Sequence, residues 1–318
     1  MRKLPAVFAT LSLTAVALVG CASTTDAAAA CGRHTDAGSS TMNLISVTGA
    51  QTAVPVVNVH TPFHTSTTRF ADVDPGTGTV PITSASQMIV LDVSLVSATT
   101  GKTLISTPYD GDESRAMALS QWAQSFPAFS TALHCATAGT RVAVAIAPGG
   151  VDASPAQSLG LSKDDSLVAI LDLRRVYLGA ANGSLVYNSG WGMPAVVRAP
   201  GGRPGVIVPD GPAPQQTTVQ TLKRGDGAKV TADDSVLVNY TIVNWTDKTV
   251  ADDTWDSQPQ FVTPSSKSKG FQAALEGQTV GSQVMAIIPK ADGTSDARDT
   301  QVVVIDILGI GPAPKTAQ

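Results

Sequence analysis

The chain carries the same series of signals twice, and this constrains its fold more than any other feature. Phe129-Ser-Thr-Ala-Leu133 precedes Gly139-Thr-Arg-Val142, and Phe271-Gln-Ala-Ala-Leu275 precedes Gly281-Ser-Gln-Val284, with a gap of six between leucine and glycine in both. Each copy then runs through an apolar strand to a proline, Pro148 or Pro289. Each closes on an apolar strand holding one aspartate, Ile170-Leu-Asp172-Leu or Val304-Ile-Asp306-Ile. A Lys-Thr turn follows the first long strand of each, Lys102-Thr103 and Lys248-Thr249. Four matches in one order indicate a tandem repeat of a single β-rich module.

Length agrees, since 318 residues make about two domains at roughly 150 residues each. Met88–Val96, Arg141–Ile146 and Ser166–Tyr177 are strand-like apolar runs in the first block, and Ser235–Val243 and Gln301–Leu308 in the second. The expected class is α+β, β-rich, with modules at 43–190 and 217–312. Between them, 191–216 is dense in Pro and Gly and reads as a linker. Residues 313–318 read as a frayed tail. Asp172 and Asp306 alternate with apolar neighbours, which predicts solvent-facing positions on half-buried strands.

Only 14% of residues are charged and the formal net charge is −4, which argues against nucleic acid and against electrostatic membrane binding. The absence of alternating βα patterns argues against a solute-binding fold. No Gly-x-Ser-x-Gly elbow, phosphate loop or close carboxylate pair points to a hydrolase or a nucleotide enzyme. In His60-Thr-Pro-Phe-His64 the proline breaks the helix that would align the two rings, so no metal site and no cofactor are expected.

The start of the chain fixes its expected location. Arg2 and Lys3 precede an uncharged apolar stretch from Leu4 to Val19, of signal-peptide length. Leu18-Val19-Gly20-Cys21 resembles the lipobox of bacterial lipoproteins, which implies cleavage before Cys21 and lipid on its thiol. An ordinary cut in the Ala27–Ala30 run is the alternative. Residues 1–20 are then a leader, 21–42 a flexible Ala/Ser/Thr tether, and the protein a monomer held on the outer face of the cell membrane. Export puts Cys31 and Cys135 in an oxidising compartment. A Cys31–Cys135 disulfide stapling the tether to the first module is the economical reading, two free thiols are the alternative, and a mass change on reduction decides.

The second block resembles the FKBP-type peptidyl-prolyl cis-trans isomerases. The resemblance rests on Gly225-Asp-Gly, Val236-Leu-Val-Asn-Tyr240-Thr241, Trp255-Asp256, Gly270-Phe271 to Gly281-Ser282, Ile287-Ile288-Pro289 and Val302–Leu308. The first block resembles them more faintly, and the layout resembles the two-module lipoproteins of actinobacteria. The implied fold is an antiparallel sheet curled around one short helix. The implied activity is rotation about X–Pro bonds, with prolyl peptides or exported polypeptides as partners. Carried over by position, Tyr240, Asp252 and Phe271 are the implied catalytic residues, and Phe261, Val303 and Trp255 line the implied pocket. Tyr240 and Phe271 also fit plain core packing, and Trp245 and Trp255 loop or rim packing.

The departures from the family pattern are specific. Ala251-Asp252 stands for Phe-Asp, Lys267-Ser268 for Val-Ile, Thr294-Ser295 for Tyr-Gly, and Val303 for a phenylalanine. In the first block Val93 falls near the tyrosine position, Leu104-Ile105 replaces Phe-Asp, and Phe129 alone keeps an aromatic floor. These losses leave a non-catalytic peptide- or partner-binding protein as the alternative.

Overall fold

The computed structural model describes residues 31–312 except 189, 191 and 296. The expected leader, Cys21, the first part of the expected tether and the expected tail lie outside the described residues. Strands β1 (Ile45–Thr48) and β2 (Val56–Val59) form a hairpin. The first module follows: β3 (Arg69–Asp74), β4 (Met88–Ser97), β5 (Thr103–Ser106), β6 (Met117–Ala118), α1 (Leu119–Ser125), α2 (Ala128–Leu133), β7 (Arg141–Ile146), α3 (Ala153–Ser158) and β8 (Leu167–Val176). A short β9 (Ser184–Leu185) and a second hairpin, β10 (Ala195–Arg198) with β11 (Pro204–Ile207), precede the second module. That module holds β12 (Thr218–Arg224), β13 (Val236–Asn244), β14 (Val250–Asp253), β15 (Gln260–Val262), α4 (Lys269–Leu275), β16 (Gln283–Ile288) and β17 (Gln301–Ile310).

The sheets share one topology, as a repeat requires. The first runs β3-β7-β8-β4-β5 with β6 also on β4, and the second β12-β16-β17-β13-β14 with β15 also on β13. Every one of these pairings is antiparallel. Register fixes the equivalences. Asp92 faces Asp172 as Asn239 faces Asp306, and Leu95 faces Ile105 as Ile242 faces Asp252. Val93 therefore occupies the place of Tyr240, and Ile105 that of Asp252.

Alternation along each strand builds the core. In the second module Val236, Val238 and Tyr240 share a concave face with Val284, Ala286, Ile288, Val303 and Ile305. Helix α4 fills that concavity with Phe271, Ala274 and Leu275, three and four positions apart on one helical face. Burying such side chains contributes about 1.5–3 kcal/mol each. Gly270 lets the helix sit close, because a Cβ there would lie 2.3 Å from Ile288 Cγ2. Helices α1 and α2 fill the first module through Leu119, Phe126, Phe129 and Leu133.

The convex faces are covered too, and this corrects several expectations. Hairpin β1–β2 lies over Val96, Ala143, Ala145, Val168 and Ile170. Hairpin β10–β11 lies over Val243, Met285, Ile287, Val302 and Val304 with Val196, Val206 and Val208. Part of the expected linker is therefore sheet-capping structure. The described part of the expected tether is likewise docked. Arg33 pairs with Asp72 at 2.5 Å and donates to the His134 carbonyl at 2.6 Å, while Asp36 accepts from Arg69 at 2.8 Å. Cys31 and Cys135 form a disulfide with Cα atoms 5.5 Å apart.

Asp172 and Asp306 are not solvent-facing but 0% and 1% exposed, because the hairpins close the face onto which they point. Arg141 grips Asp172 through Nε at 2.6 Å and Nη2 at 3.2 Å, and donates to the hairpin carbonyls of Gly49 and Ala50. Tyr109 adds a third bond to Asp172 at 2.9 Å. At the equivalent place Gln283 donates to Asp306 at 2.7 Å, and Arg198 of the second hairpin donates to Gln283 at 2.6 Å. Burial pushes the Asp306 carboxyl up, against the pull of the Ala181 amide and Gln283.

The modules meet along the chain that leaves β8. Tyr177 packs with Met88, Val90, Leu237 and Leu308. Leu178 donates its amide to the Leu308 carbonyl, Arg175 reaches the Ile310 carbonyl at 2.6 Å, and Ala181 donates to Asp306 at 2.7 Å.

Candidate functional site

The inner face of the second sheet places Tyr240, Phe271 and Val303 together. Tyr240 projects inward from the middle of β13 and meets the Phe271 ring edge-on, with centroids 5.8 Å apart. Val303 faces Ile242 across the β13–β17 pair and points to the same side. Asp252, on the edge strand β14, lies opposite Ile242 and accepts the Tyr240 hydroxyl at 2.8 Å. Its other oxygen accepts the Asp253 amide at 2.8 Å. The Tyr240 hydroxyl is pushed up to about 12, first by burial and then by its bond to the Asp252 carboxylate. It therefore stays protonated and donating across the physiological range.

Beside this group opens a cleft of ≈ 410 Å³ whose walls include Ile242, Ala251, Asp252, Thr294, Arg298 and Gln301. Its volume suits a small ligand or a few peptide residues. Of the implied catalytic residues only Asp252 lines this cleft; Tyr240 and Phe271, each 8% exposed, belong to the core beside it. Ala251 and Thr294 stand where the resemblance implies aromatic rings, and their small size leaves the cleft broad. Of the implied amide donors before the helix, Lys267 spends its own on the Pro264 carbonyl at 3.0 Å.

Phe261 and Trp255 do not belong to this site. Phe261 pairs with Leu237 in the β13–β15 register, and Leu237 points away from Tyr240. Strand parity thus carries Phe261 to the seam between modules, where its ring meets Tyr177 edge-on at 5.6 Å. Its neighbour Val262 takes the inward position. Trp255 lies in the turn after β14, and its ring lies 3.4 Å from where a Cβ on Gly202, in the second hairpin's turn, would sit. Trp245 packs under that hairpin and donates its indole N–H to Gly211 at 2.9 Å.

Arg203 is a supporting residue that the sequence did not flag, because it lies in the supposed linker. It forks onto Asp253 at 2.6 Å and Asp256 at 2.5 and 2.7 Å. These bonds tie the end of β14 and the turn after it to the second hairpin. In the first module the equivalent positions carry Val93 and Ile105, and Phe129 of α2 is fully buried in the core.

No protein-family model matches the chain, and neither does any curated protein sequence. Solved structures do align with it. A peptidyl-prolyl cis-trans isomerase from Pseudomonas syringae pv. tomato is 23% identical over 30% of this chain and 75% of that one, with a TM-score of 0.27. FkpA from Escherichia coli is 20% identical over 37% of this chain and 53% of its own, with a TM-score of 0.28. The three FKBP domains of wheat FKBP73 are 13% identical over 76% of this chain and 94% of theirs, with a TM-score of 0.31.

Proposed function

We propose that the chain is a peptidyl-prolyl cis-trans isomerase of the FKBP type that assists exported proteins in folding, held at the outer face of the membrane by lipid on Cys21. The observation that carries the enzymatic reading is the Tyr240–Asp252 hydrogen bond standing over Phe271 at the edge of a peptide-sized cleft.

Amide resonance sets a barrier of about 18–20 kcal/mol to rotation. Its planar form is charge-separated and favoured by water, so apolar walls that strip water favour the twisted form. Ile242, paired with Val303 on the neighbouring strand, and Ala251 supply such walls. Twisting localises electrons on nitrogen and leaves the carbonyl carbon more positive. The Asp252 carboxylate, fixed by Tyr240 and the Asp253 amide, offers a preorganised negative charge to that carbon. No nucleophile or metal is required.

A protease-coupled proline-isomer assay on the detergent-free chain tests the reading. We expect a rate above the uncatalysed one that falls with Phe271→Ala. A rate equal to buffer, indifferent to Phe271→Ala, refutes it. The broad cleft left by Ala251 and Thr294 favours the second reading, a peptide binder without turnover. That reading gains if prolyl peptides bind but do not exchange faster. The anchor is supported by the leader, the Leu-Val-Gly-Cys21 box and a disulfide suited to an oxidising compartment. Mass spectrometry of the membrane fraction should find a diacylated Cys21 peptide, and Cys21→Ala should release the protein to the medium.

A further inference from the structure

The first module carries the larger and more apolar cleft, although its sequence is the more eroded of the two. The cleft measures ≈ 470 Å³, and its apolar walls are Val93, Leu95, Ile105, Trp122, Phe126 and Leu159. Val93 and Ile105 mark it as the positional counterpart of the second module's site. Its outer wall is new, however: Trp122 belongs to α1 and the loop after α3 supplies Leu159. Phe126 stacks on the buried Phe129 at 4.9 Å, and Trp122 leans on the same ring at 6.4 Å, so the aromatic wall is rigid. The hydroxyls of Ser125, Ser154 and Ser158 supply part of the polar lining.

We infer that this cleft takes one large uncharged apolar side chain of an extended polypeptide laid along the outer edge of β5. Three observations select that occupant. No lining residue carries a charge, so neither an anion nor a cation finds a counter-charge there, and a free fatty acid has no partner for its carboxylate. Strand β5 ends its sheet, and Ile105 and Ser106 of that strand border the cleft, so an extended backbone can add to the edge while a side chain turns in. Ile105 is 55% exposed on this wall, an apolar surface that a bound side chain would cover. The site lacks the tyrosine–aspartate pair, so it holds a segment without twisting it. It stands independently of turnover in the second module.

The test uses the full chain carrying Cys21→Ser, purified without detergent, and fluorescence anisotropy with labelled heptapeptides. The probes keep Ser, Thr and Ala flanks and vary one central residue among Leu, Phe, Ala and Asp, with no proline. Leu- and Phe-centred probes should bind at least about tenfold tighter than Ala- or Asp-centred ones. Ile105→Glu, at an exposed position, should weaken them about tenfold or more. Ser158→Trp, on the surface of α3, should do the same by filling the mouth. Far-UV circular dichroism and the melting temperature should be unchanged in both variants. Equal affinity for all four probes overturns the inference, as does binding indifferent to both substitutions. Uptake of dodecanol with no uptake of the Leu or Phe probes also overturns it, by making the site one for small hydrocarbons.

Discussion

Replacing Arg141 by Met should weaken the first module more than any surface change. The guanidinium makes four hydrogen bonds, two to Asp172 and one each to the carbonyls of Gly49 and Ala50. Both partners of the ion pair are sealed, with side chains 1% and 0% exposed. Methionine fills similar volume but leaves the Asp172 carboxylate with Tyr109 as its remaining side-chain partner. Removing one member of a buried pair costs about 3–5 kcal/mol, a large share of the roughly 5–15 kcal/mol that holds a domain folded. With a urea slope of about 2 kcal/mol per molar, the midpoint should fall by about 2 M, followed by Trp122 fluorescence in a background lacking the other tryptophans. Arg141→Gln copies the second module, where Gln283 meets Asp306 with one bond, and should cost about 1.5–3 kcal/mol. Arg141→Met combined with Asp172→Leu should recover most of the loss, because no charge is then stranded. A loss below about 1 kcal/mol for Arg141→Met alone would refute the buried-pair reasoning.

Three further outcomes follow from the geometry. Tyr240 titrates near 12 in the folded chain against an ordinary 10.0, so the folded state keeps a proton that the unfolded chain sheds between those values. Its contribution is intact below pH 10 and lost as pH rises towards 12, so alkaline melting curves of Tyr240→Phe should slope less in that window. Phe271→Ala should cost about 3–5 kcal/mol in the second module's denaturation, since the ring is buried in that module's core. The Cys31–Cys135 bond spans 104 positions, and cross-links of that span contribute about 4–5 kcal/mol by loop entropy. Cys31→Ser with Cys135→Ser should therefore lower the melting temperature of the first module and leave that of the second unmoved.

The repeat and its strands were legible because both rest on local patterns: apolar runs, a helix opening on phenylalanine, a glycine six residues past a leucine. What was not legible depends on contacts distant in sequence. The aspartates at 172 and 306 alternate with apolar residues as exposed positions do. A hairpin from some 120 residues earlier for Asp172, or 100 for Asp306, turns the far side of the sheet into a second core. Pro- and Gly-rich spacing concealed those hairpins, since the same residues that mark a linker also make tight turns; Gly202, with φ of +92°, lies between β10 and β11. Phe261 looked like a pocket floor because homologous position says nothing of strand parity, and one step of register decides which face a ring occupies. Tyr240, Asp252 and Phe271 could be brought together from the family pattern, whereas Trp122 and Leu159 could not. Their helices have no counterpart in the second module.

The seam between the modules also sets an order of events during synthesis. The partners of Arg175, Leu178 and Ala181 are Ile310, Leu308 and Asp306, all within the last strand. That strand lies between β13 and β16, so the second sheet has a gap at its centre until those residues emerge. The first module can fold while the rest of the chain is still being made, but its joint stays open. A nascent molecule is thus a finished first half beside an unsettled second half. Only arrival of β17 both completes the second sheet and locks the two halves into one body.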